Sequence, residues 1–589
     1  MTTHTQGLEV NLPGMSTSLS AADRRSSNTG ANLNVFKTYA IAACALVISA
    51  FVFNANAAST AGSVLRETQP SEEFSPLTSE SELSVEGQDI VSPAQSAPFL
   101  VKVIEITGNT LFSTDTLTAL VADAQGQSLT LAELSAAVAR ITDYYRSQGY
   151  PLARAIIPAQ EIKDGVVRID VLEARFDTIA LTNTSLVDTP LLKAIIASLQ
   201  SGQVIRQATL DEALLQLADI PGIVSNMTLK PGQLAGTSDL LVTTAPGPAV
   251  SGNITADNNG NVYTGRARLS ATLNVINPLH SGGVLRINAL TAGSGMDYGR
   301  ISYEALVNGR GTRLGGAYSA LNYKLGPPLA SLSATGSAQV QSLWVRHPLL
   351  RSRPVQVYAQ VQYDNLQLRD RVDVSATRTD RHLDNLSITV SGQSRNTFSR
   401  NSANAFSVGW TAGQVGFDNA DALTSDAANA KTQGRFSKLQ LRLTHSQTLT
   451  ARNGLYLSVN GQWASTNLDA SQKMGTGGPR TVRGYDTGTL SGDEGYVVTA
   501  EWRYKLGSAM GGQWQGVAFA DSARVTVNKN TLTTGTNTAT LSGAGIGLKW
   551  VGVNNWSASA HIAQPIGSKP ELVTSRDATR AWVELKRGF

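Results

Sequence analysis

Two periodicities divide this chain. From residue 99 to about 246, windows of three-four apolar spacing alternate with windows of period two, whereas beyond that only period two remains. In the later part Val355, Val357, Ala359, Val361 and Tyr363 share one face against Gln356, Gln360 and Gln362. Leu439, Leu441 and Leu443 oppose Lys438, Gln440 and Arg442, and Val498, Ala500, Trp502 and Tyr504 oppose Thr499, Glu501 and Arg503. Leu455, Leu457, Val459 and Trp463 repeat the arrangement against Ser458, Asn460 and Gln462. One apolar and one strongly polar face per strand suits lipid outside and a watery lumen within. A β-sandwich or β-helix alternates as well, but runs of about ten residues match the 9–11 that a tilted transmembrane strand needs.

The earlier part reads as two copies of one β-α-α-β-β unit. In the first, a strand Phe99–Ile106 and a short helix near Thr114–Val121 precede a longer helix starting at Thr130. There Thr130 and Glu133 form a capping box, and Leu131, Leu134, Val138, Ile141 and Tyr145 make an apolar stripe. Strands Leu152–Pro158 and Val166–Leu172 follow, joined through a turn at Asp164-Gly165. In the second copy the chain restarts near Phe176, has Pro190 in the first turn of a helix, and carries a second expected box at Thr209 and Glu212 before Leu210, Leu214 and Leu217. Strands Ile223–Leu229 and Asp239–Thr244 complete it. The exposed sheet edge of such a unit accepts an extended peptide as an added strand.

Composition narrows the class. Apolar residues make up 41% of 589 and charged residues 16%, yet no run of about 18 apolar residues in the mature chain would cross a bilayer as a helix, so any crossing is made by strands. Arg24, Arg25 and Lys37, then an apolar run Tyr39–Phe53, then Ala55-Asn-Ala57, read as an export signal over 1–57, with Met15 an alternative start. Cys44 is the only cysteine and lies within it, which excludes disulfides, thiol nucleophiles and cysteine-ligated metals from the mature chain. Residues 58–98, rich in Ser, Glu and Pro, read as a linker with at most a weak helical pattern. A net charge of +4 does not suggest a nucleic-acid partner. None of the six histidines forms an HExxH pair, and there is no GxSxG elbow or Walker A loop, so no enzyme activity, cofactor or metal is expected.

The motifs that carry chemistry lie near the end. Val482-Arg483-Gly484-Tyr485 sits in a glycine-rich stretch of about 470–495, Phe519-Ala-Asp521 lies on a later strand, and Phe589 is the terminal aromatic. With the tandem units, these residues resemble the Omp85 superfamily and, within it, the two-partner secretion transporters of the haemolysin-activator and filamentous-haemagglutinin-transporter (TpsB) type. Val482–Tyr485 is similar to the family's [V/I]RG[Y/F] loop motif, and Phe519 and Asp521 to an F-x-D-x-G wall motif in which Ala523 stands where the family has glycine. Asp257-Asn-Asn-Gly260, Tyr263-Thr-Gly265 and Asn277-Pro-Leu279 are weaker matches.

The resemblance implies an all-β transmembrane barrel of sixteen antiparallel strands over 248–589, preceded by two POTRA domains at 99–175 and 176–247. It implies that Arg483 on a lumenal loop pairs with Asp521, since a guanidinium in a narrow pore seeks a carboxylate. Phe589 resembles the signal by which barrel-assembly machinery recognises its clients. The implied function is an outer-membrane pore whose periplasmic POTRA domains recognise a secreted exoprotein and pass it unfolded to the cell surface. The partners are that exoprotein, outer-membrane lipid and the assembly machinery. A barrel-assembly or insertion factor is the alternative that remains open at this point.

Overall fold

A computed structural model describes residues 59–69, 83–85, 96–531, 534–573 and 579–589. The expected export signal, with Met15 and Cys44, and much of the linker lie outside the described residues. The part of that linker that is described opens with a helix, α1 (Ala61–Thr68), capped by Thr60, whose hydroxyl accepts from the Ser63 N–H. A three-residue strand, β1 (Leu83–Val85), follows.

The first module contains β2 (Phe99–Val101), β3 (Val103–Thr107), α2 (Thr114–Ala119), β4 (Gln127–Leu129), α3 (Leu131–Ser147), β5 (Arg154–Ile156) and β6 (Val166–Leu172). Its main sheet runs β3-β6-β5, with β3 parallel and β5 antiparallel to the central β6. The capping box at α3 is complete: Thr130 accepts from the Glu133 N–H, and the Glu133 carboxylate accepts from the Thr130 N–H at 2.8 Å. The buried face of α3, Leu134, Val138, Ile141 and Tyr145, packs on Ile104, Ile106, Val167, Ile169 and Val171. Each large side chain so buried contributes roughly 1.5–3 kcal/mol, far more than helix propensity over the same length. The turn before β6 places Asp164 and Gly165 at φ 55° and 78°, a conformation that an Asp-Gly pair tolerates well.

The second module repeats the order with β7 (Arg175–Asn183), α4 (Thr189–Ile196), α5 (Gln207–Ala218), β8 (Ile223–Pro231) and β9 (Thr237–Pro246). Its sheet runs β1-β8-β9-β7, so that β9 takes the place of β6 and β8 that of β5. The capping box expected at Thr209 and Glu212 does not form. Helix α5 starts earlier, at Gln207, which puts Thr209 inside the first turn, where its hydroxyl donates back to the Arg206 carbonyl at 3.0 Å. The Gln207 N–H that a cap would accompany is taken instead by the Gly149 carbonyl of the first module at 3.0 Å.

Among the described residues, sixteen strands then close a barrel, from Val250–Asp257 to Arg580–Gly588, with every neighbouring pair antiparallel. The first strand follows β9 almost directly, so its start marks the rim that faces the modules. No described helix is long and apolar enough to cross a membrane, and the crossing is made by these strands. The face assignments hold: Val361, Tyr363, Leu439, Leu443, Leu457, Trp463 and Trp502 are exposed on the outside, while Gln356, Lys438, Gln462 and Glu501 are buried within. The last strand carries Val583, Leu585 and Phe589 outward and pairs with the first over five residues, Asn253↔Gly588 to Asp257↔Glu584. Gly252 and Phe589 extend this seam by exchanging two backbone hydrogen bonds of 3.0 Å.

Candidate functional site

The segment 465–493 joins strands Asn453–Ala464 and Glu494–Ala509 at the rim away from the modules, and it turns inward. A small hairpin, Met474–Thr476 with Leu490–Gly492, forms its neck. At its tip Arg483 meets the barrel wall. Its Nε and Nη2 donate to the two Asp521 oxygens at 2.8 Å each, its backbone N–H donates to Asp521 at 3.1 Å, and its Nη1 donates to Glu501 at 2.7 Å. The guanidinium carbon lies 3.4 Å from the centre of the Phe519 ring. This is a two-pronged fork with a third prong to a second carboxylate, stacked on an aromatic face, a geometry that lysine cannot reproduce.

The flanking motif residues dock the same tip. Val482 and Tyr485 pack with Val497, Ala523, Leu541 and Val573, and the Ala523 methyl is part of that contact. Gly484 is needed for close approach, since a Cβ there would stand 2.9 Å from the backbone of Gln564 and Pro565. The Arg483 carbonyl accepts from Trp582 Nε1 at 2.8 Å. Of the motif residues predicted from sequence, the structure brings Val482, Arg483, Gly484, Tyr485, Phe519 and Asp521 together, and places Phe589 apart at the seam. The alternation puts Glu501 on the polar, lumenal face without naming its partner, and nothing in the linear pattern points to Trp582.

The same loop touches both sides of the seam. Asp486 pairs with Arg266, in the connection that leads from the first barrel strand to the second, at 2.6 Å and with Arg580 of the last strand. Thr487 donates to the Asn259 carbonyl at 2.8 Å.

Helix α1 lies inside the barrel at its far end. Ala61, Val64 and Leu65 pack against Tyr298, Leu321, Tyr323, Leu366 and Leu368 of the lumenal wall. The Ala61 N–H donates to Asp370 at 2.6 Å, so a carboxylate faces the positive end of the helix. Arg381 bridges Asp370 and Asp469 at 2.7 and 2.6 Å, which ties wall, helix and loop together. Arg66 donates to the Ala470 carbonyl at 2.8 Å, and Glu67 accepts from Asn261 at 3.1 Å.

At the opposite rim the second module sits on the barrel turns. Arg353 pairs with Asp211 at 2.7 Å, Arg351 pairs with Asp219, and Arg313 donates to the Asp219 carbonyl at 2.7 Å. Among the described residues no group of three His, Cys, Asp or Glu side chains is arranged to hold a metal ion.

Known proteins share this architecture. Residues 99–174 match the POTRA domain of ShlB type, and residues 236–550, more than half of the chain, match the haemolysin secretion/activation protein family ShlB/FhaC/HecB. The heme/hemopexin transporter protein HuxB of Haemophilus influenzae (strain 86-028NP) is 26% identical over 481 residues, 81% of this chain and 84% of that protein. The outer membrane transporter CdiB of Escherichia coli is 23% identical over 422 residues, 69% of each chain. The solved structure of CdiB from Escherichia coli has the same fold, with a TM-score of 0.66 at 20% identity, covering 86% of this chain and 93% of that one. With its closed sixteen-strand barrel and inward loop, the chain belongs to the ShlB/FhaC/HecB haemolysin secretion/activation family, the outer-membrane transporters of two-partner secretion.

Proposed function

We propose that this transporter carries one specific large exoprotein, unfolded, from the periplasm to the cell surface, with Arg483 holding the lumenal loop in the transport-competent position. The observation that carries this reading is the Arg483 guanidinium held between Asp521 and Glu501 inside a closed barrel. A charge so placed stays buried only while both carboxylates face it, which makes the loop position two-state rather than continuously variable. Both modules act as POTRA domains and receive the cargo. Helix α1 closes the far end of the pore at rest, and folding of the cargo outside supplies the drive. The apolar outer face contacts outer-membrane lipid, and Phe589 serves barrel assembly. The name of the Haemophilus relative makes a haem-related exoprotein the first cargo to seek.

The test compares culture medium from cells with and without this protein while total outer-membrane barrel content is measured. Loss of one large protein from the medium with other barrels unchanged is the expected result and identifies the cargo. Depletion of other barrels with secretion intact would instead show an assembly factor.

A further inference from the structure

The second module meets the barrel rim with two different sides. Its lumenal side is the end of α5. Arg313 stands on the inward face of its strand, next to the outward Leu314, and donates to the Asp219 carbonyl, while Arg351, opposite the buried Gln356, pairs with the Asp219 carboxylate. Gly222, just past that helix, lies against Ile276, which is likewise inward because Leu269 on the same strand points out. Helix α4 and the turn 184–188 before it are left on the outer side of the module.

The level of that turn is fixed by an aromatic. Tyr303 follows Ile301 on the outward face, and near a strand end such a tyrosine keeps its ring in lipid and its hydroxyl in the polar layer. Its hydroxyl lies 2.8 Å from that of Ser281, so the barrel turn 277–283 stands at headgroup level. The Asp188 N–H donates to the His280 carbonyl of this turn at 3.0 Å, which holds residues 184–188 at the same level. There Leu186 is 60% exposed, Leu279 on the barrel turn is 68% exposed, and Val307 continues the outward row of Ile301 and Tyr303. Two exposed cations stand beside them. Lys193 and Arg310 adjoin Ala194 and Gly309, which touch so closely that a Cβ on Gly309 would stand 2.2 Å from the Ala194 carbonyl oxygen. Asp188 is the only carboxylate in residues 184–194, and the turns 277–283 and 307–312 have none.

We propose that this outer edge of the second module is a lipid-docking surface: Leu186 and Leu279 enter the inner leaflet of the outer membrane, and Lys193 and Arg310 meet the phosphates of anionic phospholipid there. The occupant follows from position, because the patch continues the lipid-facing belt of the barrel at the level where its strands leave the bilayer. Apolar side chains flanked by cations favour an anionic interface through both buried area and charge. The bilayer then fixes the tilt of the module against the pore, alongside the arginine contacts on its lumenal side. This inference needs only the outer-membrane location and stands whether or not the modules receive cargo.

The test attaches bimane, a small apolar fluorophore, to the full-length transporter at one introduced thiol at a time, the mature chain being otherwise free of thiols. The site is Leu186→Cys. The controls are Leu343→Cys on the lipid-facing wall and Leu234→Cys in the hairpin between β8 and β9, at the module's other end. Each protein is placed in bilayers of phosphatidylethanolamine and phosphatidylglycerol, with and without phospholipid carrying a nitroxide near the headgroup. The label at 186 is expected to lose at least about half of its emission to the nitroxide, as the label at 343 does, while the label at 234 keeps its own. Quenching at 186 no greater than at 234, with 343 quenched, overturns the proposal and leaves the patch in water or against a protein. Lys193→Gln together with Arg310→Gln, and separately the omission of phosphatidylglycerol, are each expected to reduce the quenching at 186 by about twofold. Quenching at 186 that neither change alters overturns the assignment of anionic phospholipid.

Discussion

Arg483 is a buried cation with two carboxylates and an aromatic face around it, and these partners come from two neighbouring strands of the wall, Asp521 and Phe519 from one and Glu501 from the other. Removing it leaves Asp521 buried without its counter-charge, while Glu501 keeps Arg503 at 2.7 Å. Breaking such a pair costs about 3–5 kcal/mol, enough to release a loop but small against a closed barrel. Arg483→Ala is therefore expected to abolish most secretion while the barrel still assembles and keeps its heat-modifiable migration, with residues 465–493 newly open to protease. Arg483→Lys should fall between, because one ammonium cannot span both carboxylates. Secretion unchanged in Arg483→Ala would remove the loop clamp from the mechanism. Arg483 and Asp521 were legible as motif residues, but their partners Glu501 and Trp582 were not. Sequence separations of 18 and 99 residues carry no local signal, and only the curvature of the wall brings these groups to one point.

The elements of the modules were legible where their chemistry is local. The box at Thr130 and Glu133 satisfies its own backbone, whereas Thr209 and Glu212 have the same spelling but a tertiary partner, Gly149, claimed the start of that helix. Helix α1 left a weak trace because eight residues form a helix in water only marginally, and the packing of Val64 and Leu65 inside the barrel supplies what the segment lacks. The joint between the modules was not legible either. There Glu173 accepts from the Thr110 and Leu111 N–H groups at 2.7 and 2.8 Å and from the Tyr145 hydroxyl at 2.8 Å. Burial raises its pKa, but these hydrogen bonds outweigh burial and hold it below the ordinary glutamate value. A lowered folded pKa means stability that is present above the unfolded value of about 4.3 and lost as pH falls through the folded value. Urea unfolding of the full chain, followed by the helical circular dichroism that the modules contribute, should show Glu173→Gln less stable than wild type near neutral pH. The gap should close in acid. A gap that persists below about pH 3 would mean that packing rather than charge makes the joint.

In the whole molecule the lumen is occupied at one end and the second module is held at the other. Arg313, Arg351 and Arg353 hold the second module to the near rim, while α1 and the loop fill the far end, joined through Asp370, Arg381 and Asp469. Deleting residues 61–68 should raise single-channel conductance in planar bilayers without loss of barrel content. Unchanged conductance would mean that the loop alone blocks the pore. By itself the sequence determined the barrel, its faces, the repeated module and the two ends of the clamp, because alternation, capping and turn chemistry act over a few residues and a motif is spelled in consecutive positions. Tertiary structure alone decided where α1 lodges, that Glu501 and Trp582 complete the clamp, and that β1 covers β8. These contacts join residues as distant as Ala61 and Asp370, 309 positions apart, and only barrel closure and the inward turn of the loop give them a common address.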